Sequence, residues 1–206
     1  MTGSASKMEI LIAGHGGQGV LELGNYIAYR AMLSGKHVAY TPTYGPESRG
    51  GKVKCHVVIS NSIIDSPIAE EPDYLIVMNL PSMEFQYLLK EGGILIMNSS
   101  LIAQEPARSD IRLLRIPATH IADELKHSLP EAVVGNIHDT RLVANCVMFG
   151  AYLFLTMQDF EDDLIKNVFR HFLTGKKSAL IALNLAAVRK GYEYAKELSI
   201  SLDKLA

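Results

Sequence analysis

The stretch Met8 to Ala13, MEILIA, runs straight into GHGGQG (Gly14 to Gly19) and then into Leu21 to Leu33. An apolar run this short, closed by glycine, reads as a strand buried on both faces. The segment after it has helical period, with Leu23, Ile27 and Ala31 on one face, and Gly35 ends it. A buried strand joined through glycines to an amphipathic helix commits the chain to α/β organisation, because both elements need a second layer to cover their apolar faces.

The alternation continues. HVAYT is a second strand. Lys52 to Ser60 has period two, with Val53, Cys55, Val57 and Ile59 on one side and Lys54, His56 and Val58 on a wetter one. DYLIVMN, GILIMNSS and IRLLRIPA supply further strands, and Pro81 to Lys90 a helix between the first two, with proline near its start and Gly92-Gly93 beyond its end. Helices are expected at Thr119 to His127, about Asn136 to Thr156, Phe160 to Phe172 and Lys177 to Leu198. The fold class is therefore α/β and Rossmann-like: a mostly parallel sheet with helices on both faces and a helical C-terminal layer. No linker divides the chain, so residues 1–206 read as a single domain, with about 160–206 as a helical extension.

Gly14, Gly16 and Gly19 satisfy G-x-G-x-x-G between strand and helix. In dinucleotide-binding folds the first glycine makes the tight turn, the second admits the ligand and the third packs helix on strand. The open amides and the helix dipole there attract an anion, although glycines also serve simply to turn the chain. Two features of the nucleotide folds are missing. The second strand region, HVAYTPTYG, has no acidic residue to hold a ribose, and no Gly-Lys-Ser/Thr follows the loop. A standard nicotinamide dehydrogenase is disfavoured.

A second loop, TPTYGPESRGGKVKC (Thr41 to Cys55), follows the second strand and should share the sheet's carboxyl edge with the first. Its breakers surround Tyr44, Glu47, Ser48 and Arg49. Arg49 can pair bidentately with a phosphate or carboxylate, including one on a partner chain, while Tyr44 can stack or cap. An internal Glu47–Arg49 pair on a plain surface loop is the other reading.

Composition narrows the classes. With 48% hydrophobic residues, 20% charged and a formal net charge of −2, neither nucleic acid nor an acidic membrane surface is favoured. The two cysteines, Cys55 and Cys146, cannot ligate a cluster by themselves and fit a reducing, cytoplasmic setting. His120, His127 and His138 have no metal-binding spacing. Met1 to Lys7 has no signal-like apolar core, and the most apolar run, Val143 to Met157, falls short of the ~20 residues that a membrane span needs.

The paired loops, GxGGQG after the first strand and YGPESRGG leading into an alternating strand, resemble the gamma subunit of 2-oxoacid:ferredoxin oxidoreductases. PDYLIVMN, GGILIMNSS and NCVMFGAY, with Asn145, Gly150 and Ala151, extend the resemblance across Ile10 to Tyr152. The wording YGPESRGG looks most like the 2-oxoglutarate branch.

The resemblance implies a non-catalytic chain that binds no cofactor alone. Its partners would be alpha and beta subunits carrying thiamine diphosphate and Mg2+, and a ferredoxin-like subunit carrying iron–sulfur clusters. The assembly would turn a 2-oxoacid, coenzyme A and oxidised ferredoxin into acyl-CoA, carbon dioxide and reduced ferredoxin. The implied ligand- or interface-binding residues are Gly14, Gly16, Gly17, Gln18, Gly19, Tyr44, Gly45, Glu47, Ser48, Arg49, Gly50 and Gly51. Two other classes stay open at this point: a stand-alone Rossmann-like nucleotide- or flavin-dependent oxidoreductase, and a small-anion sensor domain.

Overall fold

The computed structural model describes residues 7–45, 51–128, 141–156 and 160–203. Its strands are β1 (Lys7–His15), β2 (His37–Tyr44), β3 (Lys52–Ser60), β4 (Tyr74–Val77), β5 (Ile94–Asn98) and β6 (Arg112–Ile116). They form one sheet in the order β2-β3-β1-β4-β5-β6. β1, β4, β5 and β6 pair in parallel, whereas β3 runs antiparallel to both of its neighbours, β1 and β2. The reason is chain length. Parallel neighbours need a crossover of about a dozen residues or more, and only the short stretch between Tyr44 and Lys52 joins β2 to β3. A hairpin is the available solution.

β2 extends beyond the expected HVAYT through Pro42, which pairs in register with Cys55. Proline is tolerated because β2 is an edge strand.

The helices are α1 (Val20–Leu33), α2 (Ala118–Ser128), α3 (Arg141–Thr156), α4 (Asp162–Phe172) and α5 (Ile181–Asp203). Alternation sends Ile10, Ile12, Cys55, Val57, Ile76 and Ile96 to one face of the sheet, where they meet α1, α3 and α5 in one apolar cluster. The C-terminal helices belong to that cluster through Phe169, Val188 and Tyr192. Leu11, Leu75, Val77, Leu95 and Met97 point the other way, onto Met83, Leu89 and Ile102.

That second face is covered more thinly, by the connections between strands and one 3-10 helix, Leu80–Leu88. The sequence leads one to expect an α-helix there. Asn79 caps it by accepting a hydrogen bond from the Ser82 amide, and the chain turns extended at Leu89. The expected wetter face of β3 is also covered. His56 is buried, with its Nδ1 3.3 Å from the Ala69 carbonyl oxygen, and Val58 is fully buried. Cys55 is fully buried in the core, and burial pushes its thiol up to about 12.

Candidate functional site at the carboxyl edge of the sheet

β1 and β4 are parallel neighbours, yet the chain leaves β1 for the opposite side of the sheet through α1 and β2. This is the point where connections reverse, and open α/β sheets usually bind ligands in the crevice outside it. Here two amides of the protein meet at that point. Gln18, just beyond β1, accepts from Asn79 Nδ2 (2.8 Å) and from the His15 amide (3.0 Å) with Oε1, and its Nε2 donates to the Met78 carbonyl (3.2 Å). Asn79 Oδ1 accepts in turn from the Ser82 amide and hydroxyl. Gln18 and Asn79 are 3% and 6% exposed. The amide that the resemblance implies for ligand or interface binding is thus engaged internally, where it locks the glycine loop onto β4.

The glycines divide their work differently from the dinucleotide pattern. The left-handed positions are Gly17 (φ 93°) and Gly19 (φ 69°), while Gly16 is not among the positive-φ residues. Gly14 is still inside β1, and a methyl there would lie 2.7 Å from Val20 and 2.8 Å from Gln18 Oε1. Gly19 packs on α3 rather than on a strand: a methyl would sit 2.3 Å from Asn145 Nδ2, which donates to the Gly19 carbonyl (3.2 Å). Asn145 is buried and ties its helix to the glycine loop.

The two loops meet. The Gly16 amide donates to the Gly51 carbonyl (3.1 Å), and the Gly45 amide to the Lys52 carbonyl (2.7 Å). Tyr44 is 65% exposed beside them. Lys52 pairs with Glu84 (2.8 Å), and Lys54 lies 5.1 Å from the centre of the Phe85 ring, so both lysines bind the hairpin to the 3-10 segment. Glu47, Ser48, Arg49 and Gly50 lie outside the described residues. At the head of α1 the amides of Val20, Leu21 and Glu22 have no acceptor among the described residues. Gly16 and Gly17 are exposed, as is Glu22 in the first turn, whose charge already complements the dipole.

Sequence reasoning missed the asparagines that end β4 and β5. Asn98, fully buried, donates to Thr119 Oγ1 (2.9 Å) and accepts from the Ser100 amide (3.3 Å), so it does for β5 what Asn79 does for β4. The signal was present: Met-Asn closes both apolar runs and serine follows within three residues, a side-chain capping pattern.

Fold and edge together define an α/β domain whose glycine loop is closed by its own side chains and coupled to a neighbouring hairpin. The chain belongs to the pyruvate ferredoxin/flavodoxin oxidoreductase family, whose model matches residues 9–194. It is 34% identical over 195 residues to the 2-oxoglutarate synthase subunit KorC of Methanocaldococcus jannaschii, covering 93% of this chain and 96% of that one. It is 33% identical over 192 residues to the ketoisovalerate oxidoreductase subunit VorA of Methanothermobacter marburgensis, and there the match spans 93% of this chain but only 37% of the relative's length. The gamma subunit of a keto/oxoacid ferredoxin oxidoreductase from Geobacter sulfurreducens has a similar structure, with a TM-score of 0.70 and 27% identity, over 92% of this chain and 99% of that one.

Proposed function

We propose that this chain is the gamma subunit of a 2-oxoacid:ferredoxin oxidoreductase and that it works by docking rather than by chemistry. It would complete an assembly in which other subunits hold thiamine diphosphate, Mg2+ and iron–sulfur clusters. The observation that carries this reading is the Gly16–Gly51 hydrogen bond, which joins the glycine loop to the hairpin where β3 begins. The near end-to-end match to separately encoded subunits supports it. The second strand carries no acidic residue to hold a ribose, which weighs against a stand-alone nucleotide-dependent enzyme. The exposed backbone of Gly16 and Gly17, with the open amides at the head of α1, leaves a place at that surface for an anionic group of coenzyme A. 2-Oxoglutarate is the favoured acid, on the wording YGPESRGG and the match to KorC.

In this reading Arg49, which the sequence puts between β2 and β3, pairs with a carboxylate or phosphate across the boundary with a thiamine-binding subunit or coenzyme A. The test is reconstitution with the thiamine-binding and ferredoxin-like subunits. The chain alone should be colourless and inactive with 2-oxoacids, and activity should return only in the assembly. Losing one partner of a buried, hydrogen-bonded charge pair costs about 2–5 kcal/mol. Arg49→Ala should therefore weaken assembly or raise the coenzyme A KM at least severalfold, and Arg49→Lys should rescue only partly, because it lacks the planar fork. Turnover by the chain alone overturns the subunit reading, and unchanged assembly and KM in Arg49→Ala overturn the role of the hairpin tip.

A further inference from the structure

At the opposite edge of the sheet, the C-terminal turn of α1 and the end of α3 enclose a cleft of about 140 Å³ with β1 and β3. Its walls are apolar: Met8, Ile27, Ile59 and Leu153. Besides Ser34 and Thr156, three polar side chains line it. Lys36 lies at the cleft and hydrogen bonds to Asn61. The Tyr152 hydroxyl donates to the Met8 thioether, at 3.4 Å. The third is Arg30. Its Nη1 donates to Ser34 Oγ at 2.6 Å, but its Nε is buried and has no acceptor. Among the described residues no carboxylate pairs with it.

A cation in the last turn of a helix is explained by the macrodipole. A buried guanidinium N–H without an acceptor is not, because such a donor forfeits its hydration without compensation. Arginine stays charged at any ordinary pH, so the group that would satisfy it is an acceptor, best an anionic one. The rest of the cleft asks for something apolar. A space of this size takes about six to eight non-hydrogen atoms, by comparison with cavities that hold benzene. We propose that this cleft is a binding site for a short aliphatic carboxylate, its carboxylate at the Arg30 guanidinium, which turns to bring its covered Nε to the ligand, beside Lys36, and its chain against Ile27, Ile59 and Leu153. The inference is independent of the docking surface, which lies at the other end of the strands.

The test is a titration of the full chain, with labelled methyl groups, by pentanoate near neutral pH, followed by NMR. Pentanol is the uncharged control. Pentanoate should shift the methyl signals of Met8, Ile27, Ile59 and Leu153 saturably, with half-saturation at roughly 1–10 mM. Arg30→Gln should weaken binding about tenfold or more, and Arg30→Lys less. Absence of saturable shifts with pentanoate, or equal shifts with pentanol, means that the cleft holds only water and overturns the proposal. So does unchanged affinity in Arg30→Gln. If that variant fails to fold, the comparison of pentanoate with pentanol on the unaltered chain decides alone.

Discussion

Gly150 of α3 and Gly191 of α5 face one another's helices so closely that neither has room for a side chain. A methyl at Gly150 would lie 1.9 Å from the Val188 carbonyl oxygen, and one at Gly191 would lie 1.9 Å from the Val147 carbonyl oxygen. The two helices are in backbone contact at this crossing, and the obstruction is main chain, which cannot rotate away.

Either glycine should therefore be intolerant of its smallest replacement. Gly150→Ala and Gly191→Ala should each cost about 3 kcal/mol, at the upper end of overpacking effects, despite the higher helix propensity of alanine. Urea unfolding of the full chain measures this. Because both changes push the same helices apart, the double variant should cost less than the sum. A loss below about 1 kcal/mol in either single variant would show that the crossing is looser than described.

The two left-handed glycines of the first loop should separate in a similar way. Gly17 has open space around its Cβ position, so Gly17→Ala meets only the backbone penalty of about 1–2 kcal/mol. Gly19→Ala adds the collision with Asn145 and should cost at least about 1 kcal/mol more. On an Asn145→Ala background the extra cost should vanish. Equal losses at Gly17 and Gly19 would be evidence against the Gly19–Asn145 contact.

Gln18→Leu removes the partner of the His15 amide, the Asn79 side chain and the Met78 carbonyl at once. Stranded buried donors and acceptors make this a loss of about 2–3 kcal/mol. The His15 amide should exchange with solvent faster in the variant, which distinguishes an opened loop from general destabilisation. Wild-type exchange at His15 would contradict the role assigned to Gln18.

The strands were legible because buried apolar runs closed by glycine or proline have few other uses. The direction of β3 was fixed by the short stretch from Tyr44 to Lys52, a constraint visible in the sequence once both strands are drawn. The polar wiring of the edge was less legible. Gln18 reads alike as a ligand donor and as an internal tie, and only the position of Asn79, sixty-one residues away, decides between them. The cover over His56 could not be read at all, since nothing in SNSIIDSPIAEE marks a loop that folds back over a strand, and alternation alone gives that face to solvent.

His56 gives stability a pH dependence. Burial, and then the nearby Lys54 charge, hold its imidazolium below the ordinary value of 6.5, against the weaker pull of the Ala69 carbonyl and Glu9. The unfolded chain then binds the proton more readily than the folded one. The contribution is fully present above about pH 6.5 and is lost as pH falls from there through the lower folded value. Melting temperature should fall over that window in the wild type and fall less in His56→Gln. Parallel curves for the two proteins would remove His56 as the cause.

The hairpin that unites the two loops also separates their freedom to change. Lengthening a connection between strands is cheap, about 0.6 kcal/mol for each doubling, and the stretch from Gly45 to Gly51 joins the edge strand β2 to β3. The glycine loop has no such latitude, because Gln18, Asn79 and Asn145 are spent on its shape. Natural or engineered variation in what this edge recognises should therefore accumulate in the hairpin tip, with the first loop serving as the fixed reference against which the tip is re-cut.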